Sequence, residues 1–211
     1  RIWQTMTAHA NPLTVRVAAA AGQPMTMPAQ DVRVFLKALP ALGYDTATLV
    51  AAAGLRDHDL ASPDARVSCE ACGKVLACAQ RQRFTPNLGL ELARVTPLGA
   101  WPLVDYLVLT SDTVGNGAHQ LVRYLRLTGN PVAVTIRDER DPVRIEMTTT
   151  VQSFAMEFLA SLIHLHFRTE TEGRFTCLSI NFQHQLDDRH DFERKLGPPV
   201  KTNAAWNGLE I

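Results

Sequence analysis

TPLGAWPLVDYLVLTSDTVGNGAHQLVRYLRL, residues 96–127, is the stretch whose reading decides how this chain folds. Residues 98–109 are almost wholly apolar, with Asp105 the single charge, so burial on most sides is expected. Ser111 or Asp112 then offers a side-chain oxygen to the free amides of a starting helix. Val114, Ala118, Leu121, Val122 and Leu125 follow at spacings of three and four, with Arg123 and Arg126 off that stripe. Gly115 and Gly117 weaken the first turns by roughly 1 kcal/mol each relative to alanine. A buried segment feeding an amphipathic helix builds a core, and carries no reaction by itself.

Upstream, the pattern stays helical. Val32, Phe35, Leu36, Leu39 and Leu42 form a stripe that Pro28 can open and Pro40 must kink or end. Asp45 is placed to cap a short helix over 46–53, stopped by Gly54. Ser68 caps a longer one reaching about residue 82, and 87–95 adds a further turn or two. Residues 1–27 have neither period; they are expected to be a mobile leader or an arm packed on the domain, which then occupies 28–211.

Downstream the period changes to two. Val132, Val134 and Ile136 alternate with Ala133, Thr135 and Arg137; Val143, Ile145 and Met147 alternate with Arg144 and Glu146. The DERD run between them reads as a hairpin connection and predicts antiparallel pairing. A helix is expected over 152–167, a strand over 175–182, a helix over 187–196 led by Asp187 and Asp188, and a fourth strand region over 199–211 with a tight turn at Asn207-Gly208. The sum is an α+β fold, N-terminal helices followed by a small antiparallel sheet with helices packed on one face.

Four stretches, in order, resemble one family. LPALGYDTATLVAAAGL (39–55), PDARVSCEACGKVLACAQ (63–80), LGAWPLVDYLVLTSDTVGNGAHQLVRYLRL (98–127) and INFQHQLDDRHDFERKLGPPVKTNAAWNGLEI (180–211) are similar to the N-terminal sensor domain, of the arabinose-binding-like subclass, of AraC-family transcription regulators. The likeness covers about 28–211. It implies a domain that binds a small effector, forms a homodimer and controls two helix-turn-helix units placed beyond residue 211. DNA would then be reached only through that missing C-terminal domain. Sugar-sensing members of the wider family use a cupin-like barrel; too few strands precede residue 130 here for such a jelly roll.

Composition bounds the function. With 21 basic and 21 acidic residues, the chain lacks the cationic excess that grips phosphates, so it should bind DNA poorly by itself. No membrane-spanning run or secretory signal is visible, and four cysteines without a dense framework fit a reducing cytoplasm. Cys69-x-x-Cys72 supplies half of a structural zinc set, and reads better as buried helical cysteines together with Cys78 and Cys177. His164 and His166, two apart on a helix, point about 200° away from each other and cannot grip one metal. No G-x-S-x-G, HExxH, phosphate loop or GxGxxG occurs, so neither an enzyme nor a cofactor is expected.

The bulky amphipathic residues Trp101, Tyr106 and Tyr124 flank the apolar run. They are core packing or the wall of a mostly apolar ligand pocket. A pocket is expected between this segment and the later sheet, with Trp101, Tyr106, Tyr124 and His164 or His166 on it, and at most one histidine reaching inside. The alternatives are a freestanding small-molecule-binding or metabolic protein, and a dimerisation module that senses nothing.

Overall fold

The computed structural model describes residues 25–137, 142–149 and 153–211. The chain enters through a short strand, β1 (Thr26–Pro28), and helix α1 (Ala29–Ala38), which ends where Pro40 removes a donor and the chain tightens into a 3-10 turn over Leu39–Leu42. Asp45 accepts from the amides of Ala47 and Thr48 and so starts α2 (Thr46–Ala52); Gly54 leaves that end at φ +71°. After α3 (Asp57–Ala61), strand β2 (Arg66–Ser68) pairs antiparallel with β1, a ribbon that the sequence reading did not anticipate. Ser68 Oγ accepts from Ala71 N and opens α4 (Cys69–Gln82). Helix α5 (Leu88–Val95) follows.

The deciding stretch is a helical pair. Its apolar half is α6 (Pro102–Leu109), with proline in the first turn, and its second half is α7 (Val114–Leu127). The cap of α7 is Thr113, whose Oγ1 accepts from Asn116 N, rather than Ser111 or Asp112. Burial of α6 on most sides is also corrected. Val104 and Asp105 face inwards, while Leu103 and Tyr106 are 60% and 64% exposed. Gly117 has a packing reason: a Cβ there would lie 3.3 Å from the Val108 side chain and carbonyl of α6.

The sheet follows. β3 (Val132–Arg137) pairs antiparallel with β4 (Arg144–Thr149) in the register Val134↔Met147 and Ile136↔Ile145; the DERD connection lies outside the described residues. Beyond helix α8 (Phe154–Glu170) come β5 (Ser179–Asn181), α9 (Arg189–Leu196), β6 (Val200–Lys201) and β7 (Asn207–Glu210). The strand order is β3-β4-β7-β5-β6, antiparallel except for β5 with β6. The third strand is therefore shorter than expected and the fourth region splits in two. Asn207 and Gly208 are strand residues, not a turn: Gly208 sits where a Cβ would collide with the Ile145 carbonyl.

Two cores result. One joins α8 (Met156, Ala160, Ile163, Phe167) to the sheet residues Val134, Ile145, Met147, Ile180 and Leu209. The other joins α1, α2, α4 and α5 through Val32, Phe35, Leu49, Val75 and Leu92. Helix α8 serves both, because Phe154 and Phe158 pack on the second core. An apolar stripe this wide marks a helix covered nearly all round. The fold is thus α+β, and no helix among the described residues is long and apolar enough to cross a membrane.

Candidate functional site: a cavity at the junction of the two cores

Where the two cores meet, packing leaves a cavity of about 180 Å³. Its wall is drawn from α1, α4, α6, α7 and α8, with the start of β3 closing one end. Of the two walls expected, the 96–127 segment contributes α6 and α7, whereas the sheet contributes only the start of β3, and the rest comes from α1, α4 and α8. Most of the wall is hydrocarbon and aromatic ring, including Phe35, Val108, Leu121, Phe158 and Leu162.

One patch of the wall is polar, and it is wired together. Asp31, in the first turn of α1, accepts from the Trp101 indole N–H through Oδ1 (2.8 Å) and from Asn130 Nδ2 through Oδ2 (2.8 Å). Asn130 Oδ1 in turn accepts from Val132 N (2.9 Å), which fixes the amide. Asp105 Oδ2 accepts from Trp101 N (3.0 Å), holding the entry of α6 against the same cluster. Arg66 straps the β1–β2 ribbon across to the end of α7, donating to the carbonyls of Thr128 (2.9 Å) and Gly129 (2.7 Å).

Burial dominates the electrostatics. It pushes the Asp31 carboxyl above its ordinary value, against the bonds from Trp101 and Asn130 and the charges of Arg66 and Arg33. Burial also raises the Tyr124 phenol, helped by the charges of Asp31 and Asp105. It lowers His166, against the bond to the Thr96 carbonyl and the carboxylates Asp105 and Glu170. Cys72 is pushed up to about 12 and Cys69 is raised, so both thiols stay protonated and neither is an activated nucleophile.

Of the residues singled out in sequence, Trp101, Tyr124 and His166 are on this wall. Tyr106 and His164 are not, which corrects their expected placement. Tyr106 turns outwards on α6. His164 is wholly buried on the opposite side of α8, with Nδ1 3.3 Å from Cys177 Sγ and Nε2 donating to the Leu196 carbonyl (3.1 Å). The two histidines point to different faces of α8, both of them covered, and of the two only His166 meets the cavity. Asp31 was missed, although it stands four residues before Phe35 on the apolar face of α1, where a carboxylate is out of pattern. Cys69 and Cys72 also line the cavity, Cys72 buried and Cys69 half-buried. Among the described residues no group of histidines, cysteines and carboxylates is arranged to hold a metal.

Residues 43–211 match the sequence profile of the arabinose-binding domain of AraC transcription regulators, an N-terminal domain. The chain belongs to this family. Its fold is similar to that in the crystal structure of the transcriptional regulator CdpR from Pseudomonas aeruginosa, with a TM-score of 0.52 at 13% identity. That likeness covers 86% of this chain and 57% of the CdpR chain, so this chain spans little more than half of that regulator. No curated protein matches the sequence.

Proposed function

We propose that this domain senses a small molecule for a transcription regulator, and that the cavity at the junction of the two cores is its effector site. The observation that carries the reading is the position of the cavity. A ligand there touches α1 and α4 of one core and α8 of the other at once, so its binding energy depends on how the two cores are set against each other. A ligand shifts a conformational equilibrium only by its differential affinity for the two states, and a site spanning two packed units supplies such a difference.

Helix α6 is the output element in this reading. Its inner side (Val104, Asp105, Val108) lines the cavity, and its outer side presents Leu103 and Tyr106 to solvent. Exposed apolar side chains on one helix face suit contact with a second copy of the chain, which supports a homodimer. Effector binding would then alter the pairing of DNA-binding units carried elsewhere in the regulator, with no bond made or broken and no cofactor needed. The balanced charge of the chain supports DNA contact through those other units.

The test is to fill the cavity. Ala155 lines it, and Ala155→Trp should occupy the space. Small apolar molecules such as 2-phenylethanol should raise the melting temperature of the unaltered chain, since a ligand of the folded state must stabilise it, and should lose that effect on Ala155→Trp. Equal shifts for both chains would place binding elsewhere and end the assignment.

A further inference from the structure

The cavity wall also says what kind of molecule fits it, on the reading that it is the effector site. The volume is close to that of a dry engineered cavity that holds one benzene ring, so a single ring or a short hydrocarbon body is the right size. The polar groups are confined to one patch. Asp31, Trp101, Asn130 and Asp105 are joined by hydrogen bonds, and Tyr124 and His166 lie within electrostatic reach of Asp105. A polyol needs partners on all sides, and most of this wall is hydrocarbon and aromatic ring.

The patch has one sign. Asp31, Asp105 and Glu170 line the cavity, and no lysine or arginine does so among the described residues. The nearby arginines are turned to other work. Arg66 holds Thr128, Gly129 and Thr26, and Arg33 holds Gln30 and the Leu60 carbonyl. A carboxylate-headed ligand would meet three acids and no cation. Asp105 is only 9% exposed, and its Oδ1 accepts no hydrogen bond from the described residues. That oxygen keeps its acceptor capacity for a donor that enters the cavity. Each Asp31 oxygen accepts one bond and has capacity for another. The Trp101 and Tyr124 rings beside these acids add faces on which a cation is favourably held.

We infer that the cavity takes a small apolar amine, a single ring or short hydrocarbon body carrying one protonated nitrogen, with the ammonium donating to Asp105 and Asp31 and the body lying against α7 and α8. The Asp31 carboxyl, destabilised as an ion by burial, gains most from such a partner.

Three probes of matched size separate the possibilities: 2-phenylethylamine, 2-phenylethanol and phenylacetate, titrated calorimetrically into the 211-residue chain at one pH and ionic strength. The amine is expected to bind at least about tenfold more tightly than the alcohol, the difference a charge-assisted hydrogen bond supplies, and phenylacetate to bind most weakly. Asp105→Asn should cost the amine a clearly larger factor than the alcohol, bringing the two affinities close together. Glu170→Gln, at an exposed position on the rim, should cost the amine a smaller factor and serves if Asp105→Asn fails to fold. Phenylacetate binding as well as the amine, or an alcohol as tight as the amine, overturns the inference while the cavity stands as a binding site. Failure of all three to bind overturns the cavity reading as well.

Discussion

Gly89 offers a test of how the two cores are held, because two effects of opposite sign compete there. In α5 it crosses α8 so closely that an added Cβ would lie 2.7 Å from Glu157 Cβ, 2.9 Å from Phe158 N and 3.0 Å from the Phe154 carbonyl oxygen. Ordinary contacts of this kind are about 3.5–4.0 Å, so Gly89→Ala must part the helices by about 1 Å. Two of the three obstacles are backbone atoms, which have no rotamer to escape into. Overpacking of this sort costs about 1–3 kcal/mol, and the upper half of that range applies. Alanine returns about 1 kcal/mol through helix propensity. The net expectation is a loss of about 1–2 kcal/mol, or about 2–8 °C in melting temperature for a domain of this size. Urea denaturation measures it, with the slope checked for constancy. The same displacement moves Phe154 and Phe158, both on the cavity wall, so the affinity for 2-phenylethanol should fall in the same variant. A Gly89→Ala chain as stable as the parent or more so would show that the crossing yields freely, and the claim that backbone atoms of α8 bar a Cβ there would go with it.

Tyr106→Ala should lower folding stability by less than about 1 kcal/mol, since the ring is 64% exposed, and should weaken self-association in sedimentation; a loss of 3–5 kcal/mol would mean a buried ring. Burial holds His164 below the ordinary histidine value, with Arg168 acting in the same direction against the bond to Leu196. The unfolded chain therefore binds more protons below about pH 6.5, so stability is complete above that pH and is lost as pH falls through the folded value. Denaturant midpoints measured from pH 7.5 down to 5 should show this slope, and His164→Gln should flatten it. Excess chelator should leave the melting temperature unchanged, because Cys69 and Cys72 have no second ligand pair beside them among the described residues; a drop accompanied by stoichiometric zinc in the protein would contradict this.

Local chemistry was legible in the sequence wherever a single residue decides a boundary. Asp45 and Ser68 start helices because a short side-chain oxygen satisfies amides two or three residues on, and Pro40 ends one because it cannot donate. The antiparallel pairing of β3 and β4 and the faces they bury followed from alternation, which puts Val134 and Ile145 in the core, whereas the register itself came only with the structure. The order of helices before strands was enough for the α+β class. Apolar character alone could not say which side of α6 is covered, because burial depends on what the rest of the chain places against it. Leu103 and Tyr106 are as apolar or amphipathic as Val104, yet they face outwards, while Val104 faces the cavity. The two-residue spacing of His164 and His166 put them on different faces, but only the docking of α5 and the sheet on opposite sides of α8 decided that His166 meets the cavity. The polar patch was the least legible feature. Asp31, the Trp101–Asp105 pair and Asn130 come from three separate places in the chain, and their hydrogen bonds span up to 99 residues. Such a cluster exists only once the two cores have closed on each other, and that closure is a property of tertiary packing.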